Sequence, residues 1–424
     1  METVSEIQAE HVLLAAAIIL AVGSLLGYIA SRLRVPDIVL FLIAGIVLGP
    51  EVLGWINIPA TSTLSWAIII FTASYILFDG GATLELKVLG KVWLSLAIIV
   101  TVGVLITAFV TGFAASWILG LPVTVGLLLG AAMAATDPAT LVPVFKQVHV
   151  RDKVAQFVVG ESALNDPTGA IITLVFLALV TGGAASGQHI AIGQDVLALL
   201  AQAGIGIGIG LALGYAGSFL VAHVRYGFLA DYLKLVTLIA VIGGYLGATG
   251  LHASGFMAAF VAGLVMGNMH YLGLKMPHGH HARFEDFVGT TSLISRMFIF
   301  ILLGSQVKLE LIVRYWWEGL VVVAVFMFIA RPLTVFISTL PDRRARWSWR
   351  ELTFIAWTRE TGVIPGALAS ILVGAKAPHA DVLAAIIFMA ILITIILQAT
   401  TAKWVAGRLG LLVEKHPRSA VGTD

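Results

Sequence analysis

The stretch Glu161-Ser162-Ala163-Leu164-Asn165-Asp166 decides the reading of this chain. It lies inside a long apolar run, residues 154–181, where a charged side chain is expensive and marks function by default. Upstream, in the neighbouring run, stands Ala135-Thr136-Asp137-Pro138-Ala139-Thr140. Three carboxylates in two adjacent apolar segments need a reason. A cation and a proton competing for the same oxygens is the natural one.

The composition around these segments fixes the class. Of 424 residues, 59% are hydrophobic and 11% charged, against roughly 25% charged in soluble domains. Such a chain cannot build a water-soluble shell, so an all-α integral membrane protein is expected. The net charge of +2 points to no nucleic-acid partner, because the basic residues are spread over loops rather than gathered on one face. There is no cysteine, which excludes disulfides and thiol chemistry. Residues 1–10 hold three glutamates and no Lys or Arg, so they lack the basic region of a signal peptide.

A spanning helix needs about 20 mostly apolar residues. Thirteen runs meet or approach this: 11–31, 36–50, 63–84, 92–120, 122–145, 154–181, 191–222, 232–250, 253–270, 288–305, 318–340, 351–374 and 381–407. Loop charge tests the count, since Lys and Arg concentrate on the cytoplasmic side. Nineteen of the 25 basic residues fall in or beside loops after odd-numbered runs; only Lys308, Arg314 and Lys376 follow even-numbered ones. An error of one span would scramble this alternation. The expectation is thirteen spans, N-terminus outside and C-terminus cytoplasmic, in a cell membrane. The largest cytoplasmic loops are then 271–287 and 341–350, and the tail 408–424 is too short for a nucleotide-binding regulatory module.

Thirteen divides as six, one linker and six. The reading is two inverted six-helix repeats, spans 1–6 (about 11–181) and 8–13 (about 232–407), joined by a linker helix at about 191–222 in one transmembrane unit. Secondary transporters of this kind place broken helices at matching positions near the midplane. Span 5 carries Thr136-Asp137-Pro138, and span 12 carries Arg359-Glu360-Thr361-Gly362-Val363-Ile364-Pro365-Gly366. Each is the fifth span of its half, with charge beside a proline that frees a backbone carbonyl. A simple proline kink accounts for either one alone, but less well for the matched pair.

Asp137 and Asp166 are the candidate ligands for a sodium ion, with Thr136 and Ser162 as hydroxyl donors, because a small alkali cation takes hard oxygens. Burial raises a carboxylate pKa and a bound cation lowers it. The same oxygens can therefore hold either ion, which couples the two fluxes. Glu161 and Asn165 are four apart and share a helix face; Asp166 is turned about 140° from Glu161. Glu161 is therefore expected in a structural ion pair rather than on the cation, with Arg331 preferred over Arg359 as partner. Arg359 is expected to balance Asp137, and Glu360 to form a local ion pair with Arg359. Asp79, at the end of span 3, is either part of a cytoplasmic funnel or an interfacial helix-end residue. Arg296 is read as snorkelling from the cytoplasmic start of span 10.

Other signals carry less. Gly204 to Gly210 looks like a phosphate loop but sits in an apolar span without a preceding strand; Gly206, Gly210, Gly214 and Ser218 are spaced for close helix packing. His278, His280 and His281 read as a solvated loop. A cation channel or an intramembrane hydrolase are the rivals from other classes; the first needs no protonatable gate, and the second lacks a recognisable nucleophile or metal pattern.

These residues resemble the monovalent cation:proton antiporters of the NhaP type. The resemblance rests on Thr136-Asp137-Pro138, on Glu161-Ser162 with Asn165-Asp166, on Phe78-Asp79-Gly80-Gly81 in span 3, on Ala330-Arg331-Pro332-Leu333 in span 11, and on an arginine at the span-12 break. It implies a non-enzymatic homodimer with spans 5, 6 and 12 in a moving core and transport at Asp137 and Asp166. Asn165 before Asp166 is similar to the electroneutral branch, exchanging one Na+ for one proton with no cofactor. Two departures stand out: Pro167 follows Asp166, as in some potassium/proton members, and Trp357-Thr358-Arg359-Glu360-Thr361-Gly362 has an acid where many relatives have glycine beside the arginine. Potassium/proton exchange on the same site is the alternative.

Overall fold

The computed structural model describes residues 4–33, 35–60, 62–136, 145, 150–181, 192–222, 229–276 and 279–412. Among them the chain is all helix, apart from one isolated antiparallel bridge between Val150 and Leu412. The helices are α1 (Val4–Leu33), α2 (Asp37–Leu48), α3 (Thr63–Thr83), α4 (Leu86–Leu119), α5 (Val123–Ala132), α6 (Asp152–Val180), α7 (Ile192–Ala222), α8 (Leu233–Gly250), α9 (Gly255–Gly267), α10 (His280–Ser305), α11 (Trp316–Thr339), α12 (Trp349–Trp357), α13 (Val363–Gly374) and α14 (Ala380–Arg408). Nine of these are long and apolar enough to cross a membrane, and α2, α5, α9 and α13 are shorter apolar helices. Their outer surfaces are apolar: Leu13, Ile239 and Leu340 are exposed, and Trp117 is 88% exposed. Water would not tolerate that surface, and hydrocarbon would.

Each apolar run of the sequence falls on one of these helices, with two differences and, in the twelfth, the expected break. α10 begins at His280, eight residues before the expected start, so His280 and His281 open a helix rather than lying in a loop; His278 lies outside the described residues. Arg296 is consequently well inside α10. It donates to Asp37 Oδ2 at 3.4 Å and to Ser292 Oγ at 3.1 Å, so an ion pair across α2 and α10 replaces the snorkelling expectation. The twelfth run is two helices, α12 and α13, separated by Thr358–Gly362. Pro365 stands in the first turn of α13, where its missing N–H is no loss, and its ring excludes a helical carbonyl four residues earlier, at Thr361.

Glycines set the closest contacts. In α2, Gly45 and Gly49 pack on Ile301, Gly304 and Ser305 of α10. In α9, Gly263 and Gly267 pack on Phe78 and Ala82 of α3, and Gly81 packs on Phe260. The same Gly-x-x-x-Gly spacing thus serves two helix pairs, bringing backbones together where a methyl group would collide. Gly206, Gly210 and Gly214 of α7 meet Ser254, Ala258 and Ala262 along the edge of α9, the packing role their spacing implied.

α4, α11 and α14 each contain a π turn, at Ile99–Gly103, Phe326–Ala330 and Ile395–Ala399. The first two are 227 residues apart, and so are Thr107 and Thr334, whose hydroxyls meet at 3.0 Å. Two apolar clusters flank this region. One gathers Leu128 and Leu129 of α5, Phe326 of α11 and Ile364 and Leu368 of α13. The other gathers Val154, Phe157 and Val158 of α6 with Phe354 and Ile355 of α12. Residues 161–166 of α6 and the break 358–362 lie between them along the chain, so polar groups are confined to a layer with apolar packing on both sides.

Candidate functional site

The site is built where two helices stop short. α5 ends at Ala132 and the backbone leaves the helix through Met133–Thr136, all fully buried. α12 ends at Trp357, whose cap Thr358 still donates its N–H to Phe354 O at 2.9 Å; Arg359, Glu360 and Thr361 follow outside any helix, and all four are no more than 2% exposed. A helix end leaves its last carbonyls without partners, and each end is met by an arginine. Arg359 Nη2 donates to Ala134 O at 2.6 Å, with its guanidinium 5.0 Å over the Phe326 ring. Arg331 donates to Ile355 O at 2.9 Å from Nη2 and 3.2 Å from Nε, and to Thr358 O at 3.4 Å. A cation at a helix C-terminus is favourable, and burial makes the fit demanding.

Arg331 also holds Glu161 through both nitrogens, at 2.5 and 3.0 Å, with the two side chains 1% and 2% exposed. This bidentate pair joins α6, α11 and the end of α12. Glu161 is committed to it, with Arg331 rather than Arg359 as the partner. Arg359, expected beside Glu360, turns its Nη2 to the Ala134 carbonyl. The companion expectation, that Arg359 balances Asp137, falls on a residue outside the described ones, and Asp137 receives no structural account.

On the adjoining face of α6, Asn165 clamps the end of the α5 break. Its Nδ2 donates to Thr136 Oγ1 at 2.8 Å and its Oδ1 accepts the Thr136 N–H at 3.2 Å. The Thr136 hydroxyl donates in turn to Ser162 Oγ at 2.9 Å. Thr136 is thereby occupied by a neutral network that ends on the Ser162 hydroxyl oxygen. Asp166, four residues beyond Ser162 and on its side of the helix, is 1% exposed. Thr136, Ser162, Asn165 and Asp166 therefore come together, with Glu161 next to them but engaged elsewhere. The second break is tied down from α14, where Thr394 Oγ1 accepts the Thr361 N–H at 3.1 Å. Sequence reading missed Thr394; its one signal is a lone hydroxyl in the otherwise apolar stretch Leu383–Leu397.

Asp79 is apart from this layer. It is 5% exposed and lines a cavity of about 920 Å³ with Glu85, Asn268, Lys275, His281 and Glu285. Glu360 is fully buried just ahead of α13, whose N-terminal dipole favours an acid there. No group of three or more His, Cys, Asp or Glu residues suited to a resident metal occurs among the described residues.

Comparison with known proteins identifies the arrangement. A model of the sodium/hydrogen exchanger family, transmembrane, matches residues 17–408. The chain is 33% identical to Na(+)/H(+) antiporter 1 of Methanocaldococcus jannaschii, covering 94% of this chain and 95% of that one. It is 29% identical to the K(+)/H(+) antiporter NhaP of Alkalimonas amylolytica, spanning 65% of that protein's length. The structure superposes on that of the sodium proton antiporter MjNhaP1 of M. jannaschii at pH 8 with a TM-score of 0.76 and 30% identity, covering 94% of this chain and 99% of that one. The buried carboxylate layer, the two arginine-capped breaks and these matches together make this chain a multi-pass membrane cation:proton antiporter of the sodium/hydrogen exchanger family.

Proposed function

We propose that this chain is an electroneutral Na+/H+ antiporter that exchanges one cation for one proton by alternating access, with Asp137 and Asp166 as the exchanging carboxylates. One observation carries the reading: the two unwound stretches meet over the Ser162–Asp166 face of α6, and the fixed charge of Glu161 is already neutralised by Arg331. Asp166 is then a carboxylate whose charge is set by what it binds. Cation and proton then compete for the same carboxylate oxygens. Ser162 supplies a hydroxyl oxygen, and Thr136 is placed by Asn165. The transported ions are the only non-protein groups the scheme uses.

Thirteen crossings and two inverted repeats, about 11–181 and 232–407 around a linker at about 191–222, account best for the architecture. Nine long and four short apolar helices make that number. The 227-residue relation of the π turns and of Thr107 with Thr334 links span 4 to span 11, and the same interval relates Pro138 to Pro365. The Gly-x-x-x-Gly pairs Gly45–Gly49 and Gly263–Gly267 likewise link spans 2 and 9, at an interval of 218 residues. Loop charge puts the N-terminus outside and the tail 408–424 in the cytoplasm of a cell-membrane protein, so the large cavity at Asp79 faces the cytoplasm and Asp79 helps draw cations into it. The apolar outer face of α1, with Leu13, Leu25 and Tyr28 exposed, suits lipid or a second copy, and we take the working unit to be a homodimer.

Potassium/proton exchange on the same site is the second reading, favoured by Pro167 after Asp166 and by the relative from Alkalimonas. The test is reconstitution in liposomes with an internal pH dye and separate pulses of sodium, lithium and potassium. Proton movement with sodium and lithium, unaccompanied by current, is expected. Movement with potassium alone shifts the assignment to the second reading. A transport-linked current would refute one-for-one exchange, because each charge carried senses about 2.3 kcal/mol per 100 mV.

A further inference from the structure

The cytoplasmic ends of α12 and α14 carry a concentration of charge that transport does not use. These helices run antiparallel: Trp357 Nε1 donates to Thr401 Oγ1 at 3.0 Å. Seven residues back from Trp357 and several on from Thr401, Arg350 Nη1 lies 3.7 Å from where a Cβ at Gly410 would stand. Gly410 takes φ +67° to end α14, with the Leu411 N–H returning to Ala406 O at 3.0 Å, which holds the chain beside Arg350. Arg343, Arg344, Arg346, Arg350, Lys403 and Arg408 are thus gathered at one rim, and all are exposed. Trp349 and Trp404 stand among them, 66% and 64% exposed, with the Arg408 guanidinium 5.4 Å over the Trp404 ring.

The acids of this segment face the other way. Asp342 accepts from Ser95 N and Oγ at 3.1 and 2.8 Å and from the Arg344 and Ala345 N–H groups. Burial pushes its carboxyl up, and these hydrogen bonds more than offset that, leaving it below the ordinary carboxylate value. Glu351 accepts from Lys153 Nζ at 2.8 Å and closes a capping box with Ser348. None of the six cations makes an ion pair among the described residues. Residues 413–424 bring two acids and two Lys or Arg residues, so they do not balance the rim. Exposed tryptophans sit at headgroup level in membrane proteins, and clustered Lys and Arg at the end of a membrane helix attract anionic lipid.

We propose that this rim binds the headgroups of anionic phospholipids in the cytoplasmic leaflet, anchoring the ends of α12 and α14. It rests on the proposed orientation only for the choice of leaflet. The consequence for transport runs through α12, whose far end is held by Arg331 and leads into the break.

The test uses the intact purified protein in neutral detergent, titrated with phosphatidylglycerol or phosphatidylcholine while thermal unfolding is followed. Phosphatidylglycerol is expected to raise Tm and phosphatidylcholine is not. Replacing all six cations by Gln should weaken the phosphatidylglycerol response more than about tenfold in lipid concentration. Replacing Lys87, Lys275 and Arg283, basic residues at or near the ends of other helices, should leave it intact. If the six-fold variant does not fold, the pair Arg344→Gln and Arg350→Gln gives the same comparison at smaller size. An unchanged response in the folded rim variants overturns the proposal. So does equal stabilisation by inorganic phosphate, which would make the rim a free-anion site. Because the readout is stability, failure here is distinguishable from failure of the exchange assignment.

Discussion

Two buried acids five residues apart on one helix, Glu161 and Asp166, have different consequences when changed. Glu161→Gln leaves Arg331 buried with half its partner gone, and breaking a buried pair in this way costs about 3–5 kcal/mol. A lower yield of folded protein and a lower Tm are expected, and partial recovery when Arg331→Met is added, since the unpaired charge is then removed too. Asp166→Asn keeps shape and removes charge at a residue whose neighbours already hold one another. It should abolish cation-dependent proton movement while Tm stays near wild type. Exchange persisting in Asp166→Asn, or wild-type stability in Glu161→Gln, would reverse the two assignments. The sequence distinguished these roles because 3.6 residues per turn turns Glu161 away from Asp166. It did not disclose the partner of Arg359, because that partner is the carbonyl of Ala134, and a backbone oxygen freed by an unwound turn has no letter of its own.

Among the helices, what was legible follows from burial and charge, and what was not follows from local hydrogen bonding. The apolar runs and the alternation of Lys and Arg place nearly every helix, and Pro365 marks the split between α12 and α13. The π turns have no composition signature, since Ile99–Gly103 and Phe326–Ala330 are as apolar as their surroundings. The start of α10 was hidden because its first turn is His280, His281, Ala282 and Arg283, polar enough to read as loop. The paired glycines give the element-scale prediction. A Cβ at Gly45 would meet the backbone of Ile301 and Gly304, and one at Gly263 the backbone of Phe78. Neither contact can be relieved by moving a flexible side chain. Gly45→Leu and Gly263→Leu should therefore each lower Tm and exchange, and to similar extents if they occupy corresponding places in the two proposed repeats. Gly208→Leu, with nothing within 4 Å of its Cβ, should do neither. Tolerance of leucine at only one of the first two would break the correspondence.

For the whole molecule, the two repeats proposed above predict a second conformation, which this structure does not adopt. The cavity at Asp79 is bounded by the ends of α3 and α9 and the beginning of α10. Exchanging the repeats carries these to the ends of α10 and α2 and the beginning of α3, on the opposite side of the membrane. There the structure is shut: Leu302, Ser305 and Val307 are buried, Gly49 packs on Ser305, and Gln306 Nε2 donates to Ser65 Oγ at 3.1 Å. A cavity of about 70 Å³ lies nearby, beside Gln306 and Ser370. Alternating access then requires the Ser65–Gln306 contact to open as the Asp79 cavity closes. The absence of cysteine in the native chain makes this directly measurable. Thr83→Cys, in the wall of the large cavity, should label from the cytoplasmic side at a rate that cations alter. Linking Ser65→Cys to Gln306→Cys with a short bifunctional thiol reagent should stop exchange, leave Thr83→Cys fully reactive, and be reversed when the link is cut. If the linked protein still exchanges, the outer side opens elsewhere and the repeat correspondence does not describe the transport cycle. If linking stops exchange but also protects Thr83→Cys, the two sides are not opposed states of one motion. Loss of exchange with the inner cavity held open is the outcome that one rocking unit, loaded at Asp166 and sealed on one side at a time, demands.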